Sequence, residues 1–415
     1  MTKMRMTIII IYDGIKSLTN ERFFKFLRSH FYKYFLAIFF KMNFNPTFGV
    51  SKTMTSSHTL KNNQNIVKLR RRRDAVGLSE VCFNRKPFDR LKVLHEQCET
   101  SLTSVLSEAY LFHFTKPGKM LRAQLAIQSA RAHSADAADA DRWGFAVELI
   151  HNASLIHDDI CDSDLFRRGR QSVMAKFGEQ TALCLGDALI AHAFGLLSRE
   201  SIPRALIAKL ASMVRDCSGG QAQEFDTRGY PEWSRYCEIA GGKTASLLAG
   251  AVEGGALFDP AVSENPLLSK CCYQMALAYQ MLNDCHNIVS SIRSRTPSSD
   301  FSKARPNALI VLFRDSLSDE ERNEFDVSLR KDSKTDLDTQ LKGLWWDRLV
   351  ISNMPQMLEE RICSIMSETQ SDYEQLSPAM QQIIAPLMTH TINAVAEQNI
   401  ALSCQSTHYA KKQHG

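Results

Sequence analysis

The stretch HDDICDSDLFRRG, His157 to Gly169, sets three carboxylates, Asp158, Asp159 and Asp162, just ahead of the paired arginines Arg167 and Arg168. Residues four apart share a face of a helix, so Asp158 and Asp162 both reach one hard divalent cation. Mg²⁺ is usually held by one or two carboxylates together with phosphate oxygens. The planar arginine fork grips two phosphate oxygens at once. Carboxylates for a cation beside arginines for phosphate point to a metal-bridged diphosphate as ligand.

Reading upstream, His151, Ser154, Asp158 and Asp162 form a polar stripe roughly 80° wide on a helix. Leu149, Ile150, Leu155 and Ile156 fill both flanks of that stripe, which points it at a cavity inside a bundle rather than at solvent. Downstream, YQMALAYQMLNDCHNIVSS (Tyr273–Ser291) repeats the pattern: Gln280, Asn283 and Asn287 share a face, with Asp284 beside them. Between the two lies GGKTASLLAGA, where Lys243 and Thr244 open a small-residue helix, and GKMLR supplies Lys119 and Arg122 ahead of the first stripe. Facing stripes ringed by Lys119, Arg122, Arg167, Arg168 and Lys243 suit more than one phosphate group. With the remainder apolar, the cavity suits a diphosphate head and a hydrocarbon tail.

The rest of the body reads as helices. From about Pro87, Gly and Pro are sparse and apolar residues recur at three- and four-residue spacing. Leu91 through Leu106 fits one helix, and Pro117-Gly118 punctuates before Met120–His133. Asp139 or Asp141 is placed to cap the helix carrying the first aspartates. Further helices are expected near Gln180–Leu197, Pro203–Cys217, Trp233–Leu257, Pro266–Ile292, Asp319–Arg330 and Ser371–Ala401, with no strand pattern of note. The fold class is therefore all-α, a bundle of about ten helices.

The chain of 415 residues carries a formal charge of +5 that is unevenly spread. Residues 1–73 hold 15 Lys and Arg against Asp13 and Glu21, a balance of +13, which leaves −8 for the remainder. The body is acidic, so nothing in it suggests a nucleic-acid-binding core. Residues 1–85 form a basic, aromatic-rich extension, read as a targeting segment, a membrane-surface helix or a non-native upstream extension, with a disordered linker over 54–85. Met42 and Met54 are alternative starts. The longest uncharged piece of its aromatic run, Tyr34–Phe40, is too short to span a bilayer. Eleven cysteines, an odd count without zinc-ligand spacing, fit a reducing compartment. The expected location is cytoplasmic, or an organelle if the extension is a targeting signal.

Residues from about 88 to 400 resemble the trans-polyprenyl (isoprenyl) diphosphate synthases, which sets the domain at 86–405. GKMLR is similar to that family's GK-x-x-R element, HDDICDSDLFRRGR to its first aspartate-rich motif, SGGQAQEF to its Gly-Gln segment and GGKTASLL to its KT element. The resemblance implies an isoprenoid synthase-type helical bundle around a deep apolar cavity. It implies condensation of isopentenyl diphosphate onto an allylic diphosphate. Asp158 and Asp162 would hold Mg²⁺ on the allylic diphosphate, supported by Asp159, with Arg167 and Lys243 clamping the same group. Lys119, Arg122, His151 and Arg168 would bind isopentenyl diphosphate, and Thr244 and Gln280 would flank the reacting centre. Ala153 and Ser154, one turn before the aspartates, would set the cavity floor, and their small size resembles the long-chain synthases. A homodimer is implied, with a heteromeric partner subunit as the alternative.

The sequence departs from the family in its second aspartate-rich motif. Two carboxylates are replaced, leaving Asn283, Asp284 and Asn287, so Asn283 and Asp284 are the expected ligands of a weaker metal site. In DFSKARPNALIVL, Arg305 stands for the family's lysine as a further diphosphate contact and Asn307 for its threonine. Three readings stay open: a chain-elongating synthase, a class I terpene synthase-like enzyme that ionises an allylic diphosphate, and a non-catalytic subunit. The second draws on Asn283-Asp284 and Asn287, although Ser291 stands where its metal motif carries glutamate. His157, about 100° from Asp158 on the helix, is expected to pack. Trp345-Trp346 is expected in a core or an interface.

Overall fold

The computed structural model describes residues 86–226, 230–261, 265–294, 297–329 and 336–394. The extension over 1–85, with its expected linker, and residues 395–405 of the expected domain lie outside the described residues.

The chain runs through α1 (Lys86–Thr100), α2 (Ser104–Phe114), α3 (Leu121–Ala132) and α4 (Ala137–Cys161). A two-strand hairpin, β1 (Phe166–Arg167) and β2 (Arg170–Gln171), follows, then α5 (Val173–Phe177), α6 (Glu179–Leu197), α7 (Ala205–Asp226) and α8 (Trp233–Ala240). A π-helical turn, Gly241–Ala245, leads into α9 (Ser246–Ala256), α10 (Pro266–Ser294), α11 (Ser299–Ser302) and α12 (Ala308–Asp315). The described chain ends with α13 (Asp319–Ser328), α14 (Asp336–Val350), α15 (Met354–Glu374) and a helical stretch over residues 378–394.

The all-α expectation holds, but the described helices outnumber the ten expected, the helix expected over Pro203–Cys217 runs on to Asp226, and three further boundaries are corrected. Leu91–Leu106 is two helices, because the chain turns at Ser101–Thr103 although apolar spacing continues through the break. Trp233–Leu257 is interrupted by the π turn, and Ser371–Ala401 is broken after Glu374. The cap of α4 is Asp136, whose carboxylate accepts from the backbone N–H groups of Ala138 and Asp139 at 2.7 and 2.9 Å. Asp139 instead pairs with Arg142 one turn on. The hairpin escaped the sequence reading because each strand is two residues long.

Two apolar clusters build the core. One gathers Trp143, Phe145, Leu149 and Ile156 of α4 with Leu185 and Leu189 of α6. The other gathers Met275, Met281 and Ile288 of α10 with Leu309, Phe325, Trp345 and Leu358, so Trp345 and Trp346 are core residues. Helix α9 serves both, placing Leu247 and Ala251 in the first and Leu248 and Val252 in the second. Its small residues allow that double contact: a Cβ on Gly254 would lie 2.1 Å from the Trp143 ring. Helix α6 is the one described helix long and apolar enough to cross a membrane. It packs on α4 and buries Ala182, Leu185, Leu189 and Ala193. His157 packs there too, against Gly186.

Glu359 of α15 is buried, and its Oε1 has no hydrogen-bond partner among the described residues. Burial, aided by Glu360, raises its carboxyl to about 7. A raised folded-state value means the native protein binds the extra proton between pH 4.5 and 7, so stability falls as pH rises through that window. Glu359→Gln is expected to raise the melting temperature at pH 8 by an amount worth up to about 3 kcal/mol, with little change at pH 4. Thermal melts at the two pH values check this.

Candidate active site

The polar stripes of α4 and α10 face each other across a cavity of about 500 Å³. Arg122 enters from α3, and His151, Ser154, Asp158 and Asp162 line the α4 side. Arg167 and Arg168 come from the hairpin, Glu224 from α7, and Lys243 and Thr244 from the π turn. Gln280, Asn283 and Asp284 line the α10 side, with Asp300 and Arg305 from the following segment. Leu155, Ile239 and Leu247 give the cavity apolar wall.

Local backbone geometry explains several of these placements. The hairpin turn residues Arg168 and Gly169 both have positive φ, +54° and +76°, as a two-residue type I′ hairpin demands. Arg168 Nη1 donates to the Lys116 carbonyl at 2.5 Å. The π turn widens the helix at Lys243, as π-bulges do at functional sites. Gly220 of α7 lets that turn approach, since a Cβ there would lie 2.8 Å from the Lys243 backbone nitrogen.

Three carboxylates crowd the metal side. Burial raises the Asp158 carboxyl, Lys243 and Arg167 oppose that rise, and Asp162 and Glu224 add to it. Asp162 is raised by burial and by Glu224, with Arg305 opposing. Desolvated like charges of this kind favour a bound cation. Among the described residues, no three His, Cys, Asp or Glu groups close into a ready-made cage. Oxygen donors with coordination left over for phosphate fit Mg²⁺, which keeps part of its shell for substrate. The ammonium of Lys243 donates to Glu224 at 2.5 Å. Burial works to lower its pKa, but Asp158 and Glu224 outweigh that and hold it above the ordinary lysine range.

Asp159 does not line the cavity. It is buried and accepts from Arg167 Nε and Nη2 at 2.9 and 2.5 Å, so it orients that guanidinium. On the opposite side Arg122 Nη1 lies 3.2 Å from His151 Nε2. Burial, with Arg122 and Arg168 nearby, drives the His151 pKa well down, leaving a neutral ring. Behind Arg122 sits Glu148, fully buried, whose carboxylate accepts from Asn152 at 3.1 Å.

Several expected residues sit elsewhere. Lys119 is exposed, with its ammonium 3.3 Å from His390, and does not line the cavity. Ala153 is packed in the core, so of the expected floor pair Ser154 alone reaches the cavity. Asn287, one turn past Asn283, is also off the cavity. Arg305 lines it but is engaged: its Nη2 donates to the Asp162 carbonyl at 2.8 Å and to Asp164 at 3.0 Å. Lys303 donates to the same carbonyl at 2.7 Å. Both satisfy the C-terminal carbonyl end of α4, where cations are favoured.

Glu224 and Glu148 were missed in the sequence. Glu148 lies three residues before His151 and extends the same stripe by one turn, a signal that was available. Glu224 is the last residue of the QAQE run in the Gly-Gln segment, where helical spacing alone does not single it out.

A helical bundle whose facing stripes bring carboxylates and phosphate-sized cation pairs into one cavity defines a class of diphosphate-handling enzymes. Residues 103–342 match the family model described as Polyprenyl synthetase, and the chain belongs to that family. The short chain isoprenyl diphosphate synthase of Methanothermobacter thermautotrophicus is 32% identical over 240 residues, covering 55% of this chain and 74% of that protein. The geranylgeranyl diphosphate synthase of Mycobacterium tuberculosis is 36% identical over 173 residues, covering 40% of this chain and 49% of its own length. The fold matches the polyprenyl synthetase structure from Streptomyces coelicolor, with a TM-score of 0.63 at 21% identity over 74% of this chain and 98% of that one. It also matches a decaprenyl diphosphate synthase structure from Rhodobacter capsulatus, with a TM-score of 0.61 at 17% identity over 75% and 98%.

Proposed function

We propose that the protein is a Mg²⁺-dependent prenyltransferase that condenses isopentenyl diphosphate with an allylic diphosphate and releases a longer all-trans polyprenyl diphosphate. The observation that carries this reading is the convergence of Asp158, Asp162, Glu224, Lys243, Arg167, Arg122 and His151 on one cavity with apolar wall. Asp158 and Asp162 would hold Mg²⁺, which when bound would neutralise charge on the departing diphosphate. Lys243 and Arg167 grip the same leaving group. Arg122, neutral His151 and Arg168 take the second diphosphate on the far side. Leu155, Ile239 and Leu247 exclude water from the allylic cation. The allylic C–O bond breaks, a C–C bond forms to isopentenyl diphosphate, and the proton lost goes to the released diphosphate. Assembly as a homodimer belongs to the same reading.

One observation favours a cyclase: Asn283 is exposed to the cavity, where an amide ligand of a class I metal motif would stand. The remaining positions of that motif disfavour it. Asn287 is off the cavity, and the Ser291 hydroxyl donates to the Asn287 carbonyl at 2.9 Å. Incubation with Mg²⁺ and geranyl, farnesyl or geranylgeranyl diphosphate, with and without isopentenyl diphosphate, separates the readings by mass spectrometry. Elongated diphosphates support the synthase, hydrocarbon from allylic substrate alone supports the cyclase, and neither product supports the non-catalytic subunit.

Product length tests the floor. Ser154→Phe places a ring in the cavity one turn below Asp158 and is expected to shorten the product by at least one isoprene unit. Ala153→Phe overpacks the core instead, lowering stability by about 1–3 kcal/mol. Product chromatography and thermal melts on the two variants check the contrast.

A further inference from the structure

The second motif does not fit a metal site, because its one remaining carboxylate is already committed. Asp284 is 6% exposed. Its Oδ2 accepts from the Tyr236 hydroxyl at 2.7 Å and from the Ala308 backbone N–H at 2.8 Å. Its Oδ1 accepts from Gln280 Nε2 at 2.8 Å. The Asp284 carbonyl accepts from Asn307, whose amide also donates to Asp300. These donors come from α8, α10 and the start of α12. An ionised carboxylate offers about four lone-pair sites, so three of them are spent on buried donors. Ligating a cation would require breaking buried hydrogen bonds, and the flanking position that does face the cavity, Asn283, is uncharged.

We propose that Asp284 is a positioning residue for Gln280 and Thr244 rather than a metal ligand, and that metal binding rests on Asp158 and Asp162. What the cavity binds is taken from the reading above. Gln280 turns its Nε2 toward the Asp284 carboxyl, donating to Oδ1. That leaves Gln280 Oε1 to accept the Thr244 hydroxyl, at 3.1 Å. With its proton committed, Thr244 presents lone pairs to the cavity. A wall of acceptors favours positive charge developing on the allylic carbon. Asp284→Asn reverses the chain: the new amide donates to Gln280, Gln280 flips, and Thr244 becomes a donor facing the cavity.

The test uses full-length protein and two measurements. Mn²⁺ binding, in the presence of inorganic diphosphate, is followed by electron paramagnetic resonance, which needs no turnover. Steady-state kinetics give kcat and KM. For Asp284→Asn the expected result is Mn²⁺ affinity within twofold of wild type, both KM values within twofold, and kcat lower by about tenfold or more. In a Gln280→Ala background the same substitution should add little, since the two residues act as a unit. Tyr236→Phe, which keeps the carboxylate and removes one donor, covers failure of Asp284→Asn to fold. Its kcat should fall several-fold with Mn²⁺ affinity unchanged. Mn²⁺ binding weakened tenfold by Asp284→Asn, with activity restored by excess Mg²⁺, overturns the proposal, as does an unchanged kcat in either variant. Absence of elongated product from wild type would instead count against the synthase reading, and the Mn²⁺ result would still stand.

Discussion

Asp158→Ala is expected to lower turnover at least about 10³-fold, a loss of about 4 kcal/mol of transition-state stabilisation, while the protein melts no lower than wild type in metal-free buffer. Both halves follow from the same placement. Asp158 stands on the cavity side of α4, one turn from Asp162 and beside Lys243, where the proposed function makes its carboxylate a cation ligand. The same burial and the same acidic neighbours raise its pKa, so ionising it costs more in the folded protein than in the unfolded chain. Removing it relieves like-charge repulsion, the usual tension between site chemistry and stability. Steady-state kinetics and melts in chelator on one preparation check both halves. A variant that is inactive because it is unfolded would show the opposite melting behaviour.

Lys243→Ala is expected to lower turnover by about 10²–10³-fold, but with the reverse effect on stability. Lys243 lies between Glu224 and the two aspartates, and its ammonium is the counter-charge for all three. Without it, half-buried carboxylates are left uncompensated, which is costly. The loss in melting temperature should be larger at pH 8 than at pH 5. The carboxylates Asp158 and Asp162 already have raised pKa values, so they take up protons as pH falls and shed the repulsion. Added Mg²⁺ should recover part of the loss at pH 8, because a divalent cation replaces the missing charge. Melts at two pH values with and without Mg²⁺ provide the check. A pH-independent loss would mean that Lys243 acts through packing alone.

The two facing stripes were legible because a 3.6-residue period turns spacing into direction. His151, Ser154, Asp158 and Asp162 on one helix, and Gln280 and Asn283 on another, meet across the cavity as their spacing implies. The breaks at Ser101–Thr103 and after Glu374 were not legible, since apolar periodicity runs on past a turn that tertiary packing imposes. Asp136 caps the helix from ahead of its first periodic residues, so periodicity alone points to Asp139 or Asp141 instead. Arg305 was expected near the diphosphate, and it does reach the cavity. Its bond to the Asp162 carbonyl spans 143 residues of sequence, which no local pattern encodes. Asp284 is the same lesson in a sharper form. As a letter beside Asn283 it reads as a ligand, and only the buried donors Tyr236, Gln280 and Ala308 show how its lone pairs are used.

In the proposed function, one cavity couples departure of the allylic diphosphate to attack by isopentenyl diphosphate. The most direct test is stoichiometry: inorganic diphosphate released against labelled isopentenyl diphosphate consumed, with wild-type protein, Mg²⁺ and an allylic primer. Equal amounts are expected throughout the time course, with release negligible when isopentenyl diphosphate is omitted. Sustained release of diphosphate without consumption of isopentenyl diphosphate would contradict it.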